Sequence, residues 1–72
     1  MKKEIFEIVA QVMNIPIDSV NEELSMDMLE KWDSLHHIKL ILAIEERFGI
    51  QFTDNDIVSI DSVKSILEKL AN

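Results

Sequence analysis

Few side chains in this sequence could do chemistry: two adjacent histidines, a group of serines and a set of carboxylates. His36 and His37 are neighbours, so on a helix their side chains point about 100° apart and cannot share a metal ion as histidines four residues apart do. We expect both histidines to lie on the surface. The run from Asp54 to Asp56 resembles the start of a calcium-binding loop, but the required spacing and glycine are missing. The sequence therefore predicts no catalytic residue and no metal site.

Aspartate followed by serine and an aliphatic residue occurs at residues 18–20, 33–35 and 61–63. Such a tripeptide is typical of a helix cap, so the pattern alone is not specific. Only Ser34 begins a long apolar helical pattern within the acidic part of the chain. A hydroxyl there faces the positive end of the helix dipole, where an attached phosphate would be stabilised. Because no histidine is aimed at it as a base, we interpret Ser34 as an acceptor modified by another enzyme.

The positions of the apolar residues predict an all-α fold. Helical spacing covers residues 2–13, 34–48 and 63–70, and residues 53–57 form a shorter helix. Residues 14–32 have no clear period but contain many apolar side chains, which indicates a long ordered loop packed on the helices, with a turn near 27–30. The predicted architecture is a small four-helix bundle with three longer helices and one short helix. The residues that we expect to cap or end these helices are Asn14, Asp33, Gly49, Thr53 and either Asp61 or Ser62.

The composition bounds the class of protein. Seventy-two residues suffice for one small domain, which we place at residues 1–72. The formal net charge is −7, and eleven of the fourteen acidic residues lie between Asp18 and Asp61, beside only three basic ones. This charge disfavours nucleic acid and anionic membranes as partners and favours basic protein surfaces. The chain has no cysteine, hence no thiol or disulfide of its own, and without a signal or membrane segment we expect a cytoplasmic monomer.

The central part of the chain contains an extended motif. Trp-Asp-Ser-Leu at 32–35 is followed by aliphatic residues, by Glu-Glu at 45–46 and by Phe-Gly-Ile at 48–50, and the pattern continues through residues 52–56. With this spacing the sequence resembles the acyl carrier protein family over essentially its whole length. The resemblance implies that a phosphopantetheinyl transferase attaches a 4′-phosphopantetheine arm to the Ser34 hydroxyl. Acyl or aminoacyl groups would then be held as thioesters on the thiol of the arm, which the cysteine-free chain cannot itself supply.

The resemblance also implies two groups of functional residues. The residues implied for partner recognition along the second helix are Asp33, Leu35, Ile38, Leu42, Glu45 and Glu46. The residues implied to line a candidate cargo pocket between the second helix and the short one are Ile41, Ile44, Phe52, Ile57 and Ile60. The implied partners are an acyl- or aminoacyl-loading ligase and a downstream transferase or synthase, each with a basic docking surface. The same side chains could instead be ordinary surface aliphatics and ordinary core residues.

Three features depart from the carriers of fatty-acid synthesis. Residues 30–32 stand where those carriers have a glycine, and His-His-Ile-Lys at 36–39 makes the start of the second helix less acidic. These two features favour a specialised biosynthetic pathway, such as secondary metabolism or cell-envelope modification. Bulky Ile57 stands where those carriers often have a small residue, which predicts a short or polar cargo. The competing hypothesis is an acidic helical adaptor that binds a basic partner without a covalent arm.

Overall fold

The computed structural model describes residues 1–71 and contains four α-helices. They are α1 (Lys2–Met13), α2 (Ser34–Phe48), α3 (Asp54–Ser59) and α4 (Val63–Ala71), with a 3₁₀ turn at Ile17–Ser19 between α1 and α2. Within residues 1–71 the only β-type pairing is an isolated bridge between Ser25 and Ser62. The predicted all-α bundle of three longer helices and one short helix is therefore confirmed. None of the helices described is long and apolar enough to cross a membrane.

The first two helices end where the sequence predicts. Asn14 follows α1 in the left-handed conformation, with φ 56° and ψ 51°, and the nearby Pro16 prevents further helical backbone. Gly49 follows α2 with φ 64° and ψ 37°, and its N–H donates to the Glu45 carbonyl. A residue without a Cβ accepts this conformation at little cost. The direction in which the backbone leaves α2 is thus fixed by Gly49, the single glycine of the chain.

Side-chain caps begin the last two helices. Thr53 and Asp56 form a capping box, in which each side chain accepts the other residue's backbone N–H at 3.1 Å. Helix α3 extends to Ser59, two residues beyond the predicted end. For α4 the sequence leaves two candidate caps, and the structure selects Ser62, whose hydroxyl accepts the Ser65 N–H at 3.1 Å.

The core lies between α1, α2 and α4, and the long loop closes it. Within the loop Val20, Leu24 and Trp32 are buried. Backbone hydrogen bonds tie the loop to the start of α4, since Met26 N–H donates to the Asp61 carbonyl and Val63 N–H donates to the Leu24 carbonyl, both at 2.9 Å. The prediction of an ordered, packed loop is confirmed. The most deeply buried residues are Ile5, Val9, Met13, Trp32, Leu40, Ile41, Ile44, Ile60, Val63 and Ile66.

Candidate functional site

Ser34 is the first residue of α2 and is exposed to solvent. Asp33 precedes it in extended conformation, with φ −96° and ψ −175°, and its Oδ1 accepts the backbone N–H of His36 at 2.9 Å. This cap turns the chain into the helix immediately before Ser34. Among residues 1–71 the Ser34 hydroxyl has no hydrogen-bond partner. The hydroxyl is therefore accessible to a modifying enzyme at the positive end of the helix dipole.

His36 holds the carboxylate beside Ser34 in its charged form. The backbone N–H of His36 and its ring Nδ1 both lie 2.9 Å from Asp33 Oδ1. The backbone hydrogen bond, followed by the side-chain one, lowers the pKa of Asp33 below its ordinary value. A carboxylate at a helix N-terminus also interacts favourably with the helix dipole. The residue next to the candidate attachment point is thus a persistent negative charge.

The expectation that both histidines lie on the surface is wrong for His37, which is only 8% exposed. The indole N–H of Trp32 donates to His37 Nδ1 at 3.0 Å, and His37 Nε2 lies 2.9 Å from the Ile57 carbonyl oxygen. The two rings are stacked, with centroids 6.2 Å apart. A buried imidazole is tolerated because both ring nitrogens are paired. The missed signal is spacing, since position 37 precedes the buried positions 40, 41 and 44 by three, four and seven residues.

The apolar residues predicted to recognise partners form an exposed stripe along α2. Leu35, Ile38 and Leu42 are 62%, 47% and 58% exposed, and their spacing places them on one side of the helix. Asp33 and Glu46, also predicted for recognition, are exposed as well. We call these five residues the α2 stripe. It begins beside Ser34 and runs the length of the helix.

Glu45, the sixth predicted recognition residue, differs from the others. It is half-buried, and its Oε2 accepts the backbone N–H of Phe52 at 2.7 Å. This bond fastens the connection between α2 and α3 to the side of α2. Glu45 therefore also has a structural role, because its carboxylate holds the connection between α2 and α3 in place.

The residues of the candidate cargo pocket lie in or against the core. Ile41, Ile44 and Ile60 are at most 2% exposed, while Phe52 and Ile57 are half-buried and pack against the same cluster. A cargo lodged among them would have to displace these side chains. A separate surface groove lies beside Ser34 and is lined by Ile15, Leu29, Glu30, Lys31, Asp33 and His36.

Comparisons with known proteins show which family this sequence is similar to. The sequence model of the family described as "Phosphopantetheine attachment site" matches residues 3–70, which include Ser34. An acyl carrier protein of Buchnera aphidicola subsp. Schizaphis graminum is 32% identical over 100% of this chain and 91% of its own length. One from Buchnera aphidicola subsp. Baizongia pistaciae is 36% identical over 94% of this chain and 87% of its own.

A solved structure has the same fold. A Mycobacterium tuberculosis chain described as an acyl carrier protein superimposes with a TM-score of 0.87 at 18% identity, covering 97% of this chain and 93% of that one. At this identity the likeness concerns the fold alone, and the family match and the curated relatives decide membership. This chain belongs to the acyl carrier protein family, whose prosthetic group is 4′-phosphopantetheine.

Proposed function

We propose that this protein holds acyl or aminoacyl groups as thioesters on a 4′-phosphopantetheine arm attached to the Ser34 hydroxyl. The observation that supports this most directly is the exposed hydroxyl on the first residue of α2, which has no hydrogen-bond partner among residues 1–71 and lies inside the matched family region. When attached, the group supplies a thiol on a flexible arm, and the chain contains no cysteine to do so. The chain itself acts as a carrier and not as a catalyst.

The residues around Ser34 favour attachment of the arm through where they place the serine on α2. Asp33 caps α2 and leaves Ser34 at the first helical position, where free backbone N–H groups favour a phosphate ester. Making the ester is the task of a phosphopantetheinyl transferase. Once tethered, cargo is presented to each partner enzyme at a high effective concentration.

The α2 stripe is the proposed docking surface for partner enzymes. Its three exposed aliphatic side chains would fill an apolar hollow, while Asp33 and Glu46 would meet basic residues at the rim. The implied partners are a loading ligase and a downstream transferase or synthase. Glu45 lies at the edge of this surface and contributes charge while keeping its bond to Phe52.

A specialised biosynthetic pathway fits the start of α2 better than housekeeping fatty-acid synthesis. His36 is half-buried, and Lys39 is exposed between Leu35 and Leu42, so this half of the helix is less acidic than the whole chain. We place the protein, as one domain over residues 1–72 and as a monomer, in the cytoplasm, where coenzyme A supplies the arm. The proposed cargo is short or polar. Ile57 is bulky and lies half-buried against a filled core, so it leaves little space for a long acyl chain.

A second candidate is an acidic adaptor that binds a basic protein without any arm. The exposure of Leu35 and Leu42 beside a surplus of carboxylates is what favours it. Both functions would use the same surface, but only the first requires modification of Ser34.

Intact mass separates the two candidates. The purified protein is incubated with coenzyme A and a promiscuous phosphopantetheinyl transferase, beside Ser34→Ala and Ser19→Ala. Ser19 belongs to another Asp-Ser-aliphatic tripeptide and is also exposed, so it is the matched control. We expect one phosphopantetheine on the wild type and on Ser19→Ala and none on Ser34→Ala. A wild type that stays unmodified would contradict the carrier function and leave the adaptor as the remaining candidate.

A further inference from the structure

Helix α3 is the most weakly anchored of the four helices described. It has six residues, Asp54–Ser59, and none of them is buried. Its start is held by the capping box of Thr53 and Asp56, and Asp56 also pairs with Lys69 of α4 at 3.2 Å. A segment with so little burial opens at low free-energy cost unless another contact holds it. The candidate for that contact is the bond between His37 and Ile57.

The hydrogen-bond chain through His37 has a defined direction. The indole nitrogen of Trp32 can only donate, so His37 Nδ1 must accept. The ring proton of the neutral imidazole then resides on Nε2, which donates to the Ile57 carbonyl at 2.9 Å. This carbonyl lies in the last turn of α3, where carbonyls lack an N–H partner in their own helix. Within residues 1–71 His37 is the only residue of a polar or charged type that is buried, and each of its ring nitrogens lies within hydrogen-bond distance of a partner.

We propose that His37 is a specificity-determining residue: its bond to Ile57 is a latch that keeps α3 closed against α2 and limits the size of the cargo that the bundle accepts. This rests on the proposed carrier function. Ile57 belongs to the candidate cargo pocket, and a long acyl chain that enters there must push it outward. Moving Ile57 breaks the latch and leaves the N–H at Nε2 of a mostly buried imidazole unpaired, a cost that a cargo outside the bundle does not meet.

The same chain joins the latch to the attachment point. Trp32 is 2% exposed and stands two residues before Ser34, so the ring that fixes the His37 tautomer also anchors the segment leading into α2. The α3 latch and the base of the arm therefore share one buried support. Cargo too bulky for the latched bundle would be left in solvent or on the partner enzyme.

Two substitutions of His37 distinguish the hydrogen-bonding roles of its two ring nitrogens. In His37→Gln the terminal amide nitrogen takes approximately the position of Nε2 and can still donate to Ile57. In His37→Asn the amide approximates Nδ1 and can serve Trp32 but not Ile57. His36→Asn, on the adjacent residue bonded to Asp33, is the matched control. Amide hydrogen exchange is measured on the unmodified chain, at the N–H of Ile57 in α3 and at the N–H of Ile60, which follows α3 and donates to the Asp56 carbonyl.

For the latch we expect exchange in α3 to be about tenfold faster in His37→Asn, the size of effect that loss of one hydrogen bond produces. Exchange in His37→Gln and His36→Asn should stay near the wild-type rate. Equal α3 exchange in His37→Asn and the wild type would overturn the proposal. If a variant fails to fold, nitrogen NMR of the wild-type His37 ring decides: a proton on Nε2 supports the latch and a proton on Nδ1 contradicts it.

The cargo limit is tested on carriers loaded with a short or a long acyl chain. In the wild type the long chain should raise the thermal midpoint no more than the short one, whereas in His37→Asn the long chain should raise it further. If the long chain raised the thermal midpoint equally in the wild type and in His37→Asn, the cargo limit would be refuted. If no protein accepts the arm, the carrier function itself fails, and the exchange measurement on the unmodified chain still decides whether the latch exists.

Discussion

Trp32 donates its indole N–H to His37 Nδ1 at 3.0 Å, and both side chains are buried. The bond links the residue that ends the long loop to the first turn of α2. Replacing Trp32 by Phe keeps an aromatic ring but leaves a buried acceptor without its donor. We expect Trp32→Phe to lower the free energy of unfolding by about 1–3 kcal/mol. Urea denaturation measures this.

Leu35→Ala is the control for that substitution, because Leu35 is 62% exposed and lies in the same segment. It should change the free energy of unfolding by no more than about 0.5 kcal/mol. If Trp32→Phe were equally harmless, the Trp32–His37 bond would have no part in stability.

Helix α3 should be sensitive to acid through Asp56. Hydrogen bonds from the backbone and side chain of Thr53, then the contact with Lys69, lower the pKa of Asp56 below its ordinary value. Since the folded-state pKa is the lower one, Asp56 stabilises the fold above the unfolded-state pKa of about 3.9. That contribution is lost as the pH falls through the folded-state pKa. NMR signals of α3 should weaken in this range before those of α1.

Asp56→Asn should remove this acid transition in α3, because the amide does not titrate. Asp54→Asn, on the same short helix, should leave it in place. An α3 that melts together with α1 in the wild type would argue against a separate acid-sensitive cap.

Gly49 is required for its backbone conformation and not for space. Its φ is 64°, and a Cβ built there meets nothing within 4 Å. We expect Gly49→Ala to cost about 1–2 kcal/mol in unfolding free energy from the left-handed conformation alone. Gly49→Asn should cost less, since Asn14 already adopts φ 56° at the end of α1. Equal stability of Gly49→Ala and the wild type in urea would show that the α2 terminus rearranges.

Two neighbouring glutamates on α2 should have separable roles. Glu45 accepts the Phe52 N–H at 2.7 Å, so Glu45→Ala should lower the free energy of unfolding by about 1 kcal/mol. Glu46 is exposed, so Glu46→Ala should leave stability unchanged within about 0.5 kcal/mol but slow modification by the phosphopantetheinyl transferase. Denaturation and modification rates test the pair. Equal modification rates for Glu46→Ala and the wild type would remove Glu46 from the docking surface.

Local signals in the sequence were sufficient to predict the helices and the exposed serine. Apolar spacing, Pro16, Gly49 and the capping residues each act within one turn of the helix end they determine, so they can be read from short segments. Ser34 is singled out among three Asp-Ser pairs because it alone begins a long apolar helical pattern within the acidic part of the chain. The helix ends consequently agree with prediction to within two residues.

The loop contacts and His37 could not be predicted in the same way. Met26 bonds to Asp61, and Val63 bonds to Leu24, across more than thirty positions that no local pattern connects. The expectation of a surface position is wrong for His37, although its spacing matches the buried face of α2. Its burial depends on two partners outside α2, the indole N–H of Trp32 and a carbonyl of α3, that satisfy both ring nitrogens.

Ser34 is the proposed attachment point of the phosphopantetheine, and fragmentation of the modified protein in a mass spectrometer tests this directly. We expect fragments that end at Asp33 to have their unmodified mass and fragments that extend through Ser34 to gain the mass of one phosphopantetheine. The added mass on a fragment that ends before Ser34, or only on one that begins after it, would contradict attachment at Ser34, as would a wild-type protein that takes up none.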